Sequence, residues 1–262
     1  MTIRWPAENI WESLAPLLPG FTVEILPEVD STNTELMRRA RAGHIEPILL
    51  VAERQTAGRG RLGRDWLSDT DAGLATLTFS LGLPLQPADW SGLSLAVGLA
   101  VVQSLHPALK LKWPNDVWLE DRKLAGILIE TTSVGNLRYA VIGIGVNLLG
   151  RDSAGLRTPA AALAELLPQA DAPSTLEAIA LPLVRAVLDF EAQGFAGLRS
   201  AFHARDLLYG REVTCTDGTS GTARGVDASG ALLVHTASGL QKISSAEVSV
   251  RPVLPPVSPN LP

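Results

Sequence analysis

The stretch Gln55-Thr56-Ala57-Gly58-Arg59-Gly60-Arg61-Leu62-Gly63-Arg64-Asp65-Trp66 decides between two architectures. Gly58 to Gly63 satisfies G-x-G-x-x-G, the pattern of a dinucleotide-binding turn. That turn works only when its glycines open a helix whose N-terminus faces a pyrophosphate. Here the chain continues through Arg64, Asp65, Trp66 and Ser68 toward a strand, and Arg59 and Arg61 stand where such a turn packs tightly. A Walker loop fails too, because Gly63 is followed by Arg64-Asp65 and not by Lys-Ser/Thr. What remains is four arginines, Arg54, Arg59, Arg61 and Arg64, in a segment loosened by glycine. Guanidinium groups bind phosphates and carboxylates through two parallel hydrogen bonds, and glycine lets backbone N–H groups approach an anion. Trp66 at the end of the loop suits a ligand that is part apolar and part anionic. Taken alone, the loop reads first as a solvated surface segment.

Outward from this loop the elements alternate irregularly. Before it, residues 9–18 read as a short amphipathic helix closed by Pro19-Gly20, and 21–29 as a strand. Thr32-x-x-Glu35 is a capping-box pattern opening a helix that runs to Gly43, and 48–52 is a buried strand. After it, 74–83 reads as a strand and 91–105 as a helix apolar nearly all round. Strands follow at 109–113, 117–119, 123–130 and 137–148, then helices at 159–167, 174–193 and 195–207. This order predicts an α+β sheet with helices on one face and not a βαβ array. From Tyr209 the strand-length runs 211–215, 221–226, 231–236, 240–244 and 247–250 are separated by Gly turns, which predicts a small β-barrel. The expected division is an α+β domain at 1–207, the barrel at 208–253 and a proline-rich tail at 254–262.

Composition narrows the function classes. Across 262 residues, 46% hydrophobic and 19% charged side chains describe a globular chain. A net charge of −5 supplies no global field for nucleic acid. One cysteine, Cys215, excludes an intrachain disulfide framework and fits the cytoplasm. The four histidines are scattered without zinc spacing, and no apolar run reaches the roughly 18 residues of a membrane span.

Two further constellations carry chemistry. In Lys112-Trp113-Pro114-Asn115-Asp116 the proline cannot lie inside a central strand, so Asn115 and Asp116 are presented at a strand end. The Asp116 carboxylate suits Mg²⁺ or an amine, and an ordinary capped turn has the same look. In Lys123-Leu124-Ala125-Gly126-Ile127-Leu128-Ile129-Glu130 a lysine heads an apolar strand, and Gly126 permits close approach. Gly143-Ile144-Gly145-Val146-Asn147 repeats the theme, though its glycines also suit a bulge.

In this order and spacing the segments Asp30-Ser31-Thr32-Asn33, Gln55 to Trp66, Lys112 to Asp116, Arg122 to Glu130 and Gly143 to Asn147 closely resemble the catalytic core of biotin protein ligases. The match spans roughly residues 22 to 150, and the barrel extends it. Lipoate ligases share the fold and outline chemistry, but the loop resembles the biotin version. The resemblance implies a mixed-sheet catalytic domain related to class II aminoacyl-tRNA synthetases, followed by an SH3-like domain. It implies that biotin and MgATP give biotinyl-5′-AMP, which a lysine of a biotin carboxyl carrier protein or domain then attacks. The implied biotin contacts are Ser31, Thr32, Asn33, Gln55, Gly58, Arg59, Arg61, Lys123 and Gly126, with Gly58, Gly126, Ile127 and Gly143 forming an apolar slot. Arg59, Trp66, Lys112, Asn115 and Asn147 fall to the nucleotide, Asn147 to its phosphates or the rest of it. Lys123, Arg61 and Asp116 fall to catalysis, with Asp116 either touching Mg²⁺ or steering the incoming lysine. Residues 56–68 are expected to close over the adenylate, with Trp66 at the adenine end. Only 29 residues precede Asp30, too few for a helix-turn-helix, so a ligase without DNA binding is expected. Nothing in the sequence separates a monomer from a homodimer.

Overall fold

The computed structural model describes residues 3–66, 74–150, 158–244 and 250–252. Its frame is a seven-stranded sheet whose strands β1 (Thr22–Val29), β2 (Ile48–Gln55), β3 (Thr76–Pro84), β4 (Lys110–Lys112), β5 (Asp116–Leu119), β6 (Arg122–Val134) and β7 (Leu137–Asn147) lie in the order β1-β2-β3-β7-β6-β5-β4. Only β1 and β2 run parallel; the other neighbours are antiparallel.

Strand composition separates the faces. In β3 the odd positions Leu77, Phe79, Leu81 and Leu83 are large and buried, while Thr76, Thr78, Ser80 and Gly82 are small or polar. In β7, Ile142, Ile144 and Val146 alternate with Gly143, Gly145 and Asn147 in the same way. Alternation of period two sends the large set to one face and the small set to the other. The large set packs under helices α1 (Ala7–Leu14), α3 (Leu93–Leu105) and α4 (Ala172–Gln193) in the main core. Helix α3 is apolar all round because it lies between this sheet and α4.

The expectation of helices on one face is corrected by α2 (Thr32–Arg41). Its Leu36, Met37 and Ala40 pack with Leu50, Tyr139 and Val141 in a separate cluster on the opposite face. The cap also differs from the expected one. Ser31 is the N-cap and accepts the Thr34 N–H, whereas Glu35 pairs with Arg38 and Arg39. The helix expected at 159–167 is largely extended chain. Lys123 N–H donates to Pro159 O at 2.9 Å and Ala161 N–H to Lys123 O at 2.9 Å, so this segment borders β6 and only Leu163–Glu165 coils. Pairing a buried strand start outweighed the modest helical pattern.

After α5 (Arg199–Arg205), strands β8 (Glu212–Cys215), β9 (Ser220–Val226), β10 (Leu232–Thr236), β11 (Gly239–Ile243) and β12 (Val250–Pro252) form a five-stranded antiparallel sheet, ordered β11-β10-β9-β8-β12. Most of the strand expected at 247–250, and the tail, lie outside the described residues. The small sheet is held to the rest of the chain by side chains from the segment after β4 and from α5. Trp113 Nε1 donates to Gly230 O at 3.0 Å, Arg199 Nε to Val226 O at 2.9 Å, and Val226 N–H to His203 Nε2 at 3.2 Å. Gly230 is bare because its missing Cβ would fall 2.9 Å from the Gly92 Cα. No described helix is long and apolar enough to cross a membrane.

Candidate functional site

The face of small residues is left open where α2 ends its cover, and a cleft of about 800 Å³ lies there. Ser31, Thr32, Asn33, Gln55, Arg59, Arg61, Trp66, Lys112, Asn115, Asp116, Lys123, Gly126, Ile127, Gly143 and Asn147 all line it. Of the residues expected to bind ligand or act in catalysis, Gly58 alone does not. Its bare Cα lets the loop close on itself, since a Cβ there would meet Trp66 O at 2.4 Å and Gln55 Nε2 at 2.8 Å. The loop is thus a narrow hairpin, with Trp66 N–H to Gly58 O at 2.9 Å and Gly60 N–H to Arg64 O at 2.7 Å. Residues 67–68 of the expected lid fall outside the described residues.

One end of the cleft is neutral and held by a hydrogen-bond network. Gln55 Oε1 accepts the Thr32 N–H at 2.8 Å and lies 3.1 Å from Thr32 Oγ1. Behind them Ser80 Oγ, fully buried, stands 2.6 Å from Thr32 Oγ1 and 2.7 Å from Asn33 Oδ1. Asn33 Nδ2 donates to Leu128 O at 3.2 Å and Glu130 Oε2 at 2.9 Å. Asn33 therefore faces the sheet, and Gly143 is bare to admit it: a Cβ would come within 2.2 Å of Asn33 Oδ1. The slot expected at Gly143 is occupied by this amide.

The floor of the cleft is a different pair of glycines. Gly126 and Gly145 face each other across β6 and β7, and the Trp66 indole rests on both. A Cβ at Gly145 would lie 2.3 Å from the indole, one at Gly126 3.3 Å. Trp66 thus covers the glycine floor, beneath Lys123 Nζ at 5.8 Å from its ring.

The other end is charged. Lys123 Nζ pairs with Asp116 Oδ1 at 2.7 Å, Arg61 donates to Asn115 Oδ1 at 3.4 Å, and Asn115 Nδ2 donates to Ile127 O at 2.7 Å. Asn115 follows a cis Trp113–Pro114 bond. Lys112 lies over the Trp118 ring at 5.2 Å, and burial holds its ammonium below the ordinary lysine range, with Asp116 opposing. Burial likewise lowers Arg61, again against Asp116. Among the described residues, six cationic side chains line the cleft against three acidic ones, in a chain of net charge −5. Asp121, one of those acids, is tied to Arg211 of the small-sheet region, and Arg251 of β12 lines the same rim. Arg59 is exposed and donates to Thr34 Oγ1 at the start of α2.

Asn147 Oδ1 and Trp118 Nε1 are buried on the cleft without a protein partner among the described residues. Asn147 Nδ2 already donates to Lys123 O at 3.1 Å. The open atom is an acceptor, so it suits an O–H or N–H of a ligand and not a phosphate. Among the described residues no three His, Cys, Asp or Glu side chains are placed to hold a metal ion.

Residues 26–147 match the biotin/lipoate A/B protein ligase family, and residues 209–251 match the biotin protein ligase C-terminal domain. The biotin–[acetyl-CoA-carboxylase] ligase of Paracoccus denitrificans is 35% identical over 86% of this chain and 98% of its own length. The chain belongs to the biotin protein ligase family. The bifunctional ligase/repressor BirA of Escherichia coli is 36% identical over 89% of this chain and 75% of its own. A biotin protein ligase from Aquifex aeolicus, solved with biotin and ATP, superposes with a TM-score of 0.75 at 29% identity, covering 88% of this chain and 99% of that one. The mixed sheet and following small antiparallel sheet are the biotin protein ligase fold.

Sequence reading missed Thr78 and Ser80 as cleft or supporting residues, and gave Gly145 no role of its own within its motif. The signal was present in the period-two pattern of β3 and β7, where every second residue is small or polar.

Proposed function

We propose that this protein is an ATP-dependent biotin ligase acting in two half-reactions. A biotin carboxylate oxygen attacks the α-phosphorus of ATP, the bond to pyrophosphate breaks, and biotinyl-5′-AMP forms. The ε-amine of an acceptor lysine then attacks the acyl carbon, and AMP leaves with the bonding pair. The lysine belongs to a biotin carboxyl carrier domain, the acceptor implied for the Paracoccus relative by its naming as an acetyl-CoA-carboxylase ligase.

The observation that carries this reading is the polarity of the cleft. A cyclic urea needs donors and acceptors at one end, and Thr32 and Gln55 offer both. A carboxylate and a triphosphate need cations at the other, and Lys112, Lys123 and Arg61 stand there. We assign Lys123 and Arg61 to neutralise the reacting anions and to stabilise charge developing on phosphorus. Asn115 holds Arg61, and Asp116 holds Lys123, in that task. Magnesium arrives as part of MgATP. Among the described residues no group of carboxylates forms a metal cage, so Asp116, already paired to Lys123, is the side chain that would touch the ion, which would supply further positive charge to the phosphates. Trp66 moves off the glycine floor to admit biotin and covers the adenylate, limiting hydrolysis of the mixed anhydride.

Biotin-dependent exchange of pyrophosphate into ATP tests the first half-reaction. Exchange with biotin and none with lipoate or octanoate is expected; the reverse would place the chain with lipoate ligases, and biotin binding without exchange would make it a sensor.

A further inference from the structure

We infer that the indole N–H of Trp118 is a further nucleotide-binding group, donating to a phosphate oxygen of ATP that departs with pyrophosphate. The inference rests on the biotin ligase reading and adds a residue to which that reading gives no role.

Trp118 carries an orphan donor. The side chain is 5% exposed and lines the cleft, yet Nε1 is closed to water and has no acceptor among the described residues. An indole nitrogen only donates, so no flip or tautomer relieves it. A buried donor left bare is destabilising, and an apolar side chain in its place would carry no such cost.

The surroundings name the missing acceptor. Lys112 Nζ lies 5.2 Å from the Trp118 ring centroid. Burial lowers the Lys112 ammonium, Asp116 opposes, and Lys123, Arg64 and Arg251 push the same way as burial. These four cations lie within electrostatic reach, and Asp116 is already paired to Lys123. Such a surplus is relieved by an oxyanion of several charges. A donor set among the cations is satisfied by the same oxyanion, in a charge-assisted hydrogen bond.

Strand order says which part of the ligand arrives there. On β5, Val117 and Leu119 belong to the core, and Asp116 and Trp118 share the open face. Ser80 lies on β3, the floor glycines on β7 and β6, Trp118 on β5 and Lys112 on β4. Trp118 therefore stands three strands from β3, roughly 14 Å at the usual strand spacing. A biotin whose ureido ring meets Thr32 and Gln55 lays its valeryl chain over the glycine floor and brings its carboxylate to Lys123 on β6. The α-phosphorus meets it there. Lys123 is flanked by two orphans of opposite sense, the Asn147 Oδ1 acceptor at the end of β7 and the Trp118 Nε1 donor on β5. Ionised phosphate oxygens only accept, so they cannot satisfy Asn147. The nucleoside, with its N–H and O–H groups, runs toward Asn147, and the outer phosphates run toward Trp118 and Lys112. When the bond from the α-phosphorus to the bridging oxygen breaks, that oxygen takes the electron pair, and the pyrophosphate is held by the indole and the ammonium.

Product inhibition of the full-length chain separates the two halves of the nucleotide. Trp118→Phe keeps an aromatic ring beside Lys112 and removes the donor. In that variant the inhibition constant of pyrophosphate and the KM for ATP should rise about tenfold. The inhibition constant of AMP and the KM for biotin should stay within about twofold. Equal rises for AMP and pyrophosphate, as a general disturbance of the cleft would give, overturn the assignment, and so does no change in either. A second measurement needs no variant. With the six tryptophans labelled with nitrogen-15 at the indole, pyrophosphate alone should shift an indole N–H resonance that AMP alone leaves in place. If no indole resonance distinguishes the two, the assignment fails whether or not Trp118→Phe folds. Absence of biotin-dependent exchange in the native protein would instead overturn the functional reading itself.

Discussion

The two ends of the cleft are built on opposite principles. At the Thr32–Gln55 end the side chains are tied to the protein by a hydrogen-bond network that runs from Gln55 through Thr32, Ser80 and Asn33 to Glu130. At the Lys112–Lys123 end cations outnumber acids, Lys112 is buried against its charge, and the acceptor of Asn147 waits without a partner. A satisfied network fixes one geometry and discriminates by shape and hydrogen-bond polarity. A surplus of buried positive charge costs stability and is relieved by an anion. Recognition and chemistry are thus separated along one groove: the first end chooses, and the second reacts.

The largest test breaks the charged end. Lys123→Ala should lower kcat/KM for adenylation by about 10²–10³-fold, the cost of removing one group that stabilises developing charge, with circular dichroism unchanged. If turnover is unaffected, the ends are not specialised as described. The neutral end should respond differently: Thr32→Val should raise the KM for biotin by about tenfold and leave kcat nearly unchanged in steady-state assays. Raising ionic strength from about 0.05 M to about 0.5 M should weaken ATP binding by a few fold and biotin binding hardly at all, which calorimetry can read separately for the two ligands.

The smallest effect concerns stability. Burial places the folded Lys112 value below the unfolded one, so between the two the unfolded chain holds more protons. Stability contributed by this residue therefore rises with pH through that window, up to the ordinary value of 10.5. Lys112→Met should melt about 2–4 °C higher than the native protein near pH 7, and the gap should narrow as pH is raised toward that value. A gap that widens with pH would show that Lys112 is stabilised, not strained, where it sits.

Much of this was legible in the residues. The glycine-arginine loop ended in a strand and not a helix because nothing after Gly63 has a helical period, and the structure closes it as a hairpin. Strand positions followed from runs of apolar residues, and the chain order of Lys112 to Asp116 and Arg122 to Glu130 brought one lysine to each side of Asp116. What escaped was the reason for particular glycines. Gly58, Gly143 and Gly145 look alike in sequence, yet one admits a backbone, one an amide and one an indole. Those neighbours come from elements 8 to 110 residues away, which no local pattern specifies. The helix expected at 159–167 failed for the same reason, since its competitor was the distant edge of β6.

Trp113 carries a last consequence. It is fully buried in the large sheet, and its indole N–H finds its acceptor on Gly230 of the small one, next to the residues that present Asn115 and Asp116. The C-terminal module is therefore part of the scaffold of the reactive end, and the two cannot be exchanged as independent cassettes. A chimera that replaces the barrel must carry the 227–231 turn with it, and descent should show that turn and the Trp-Pro-Asn-Asp segment changing together or not at all.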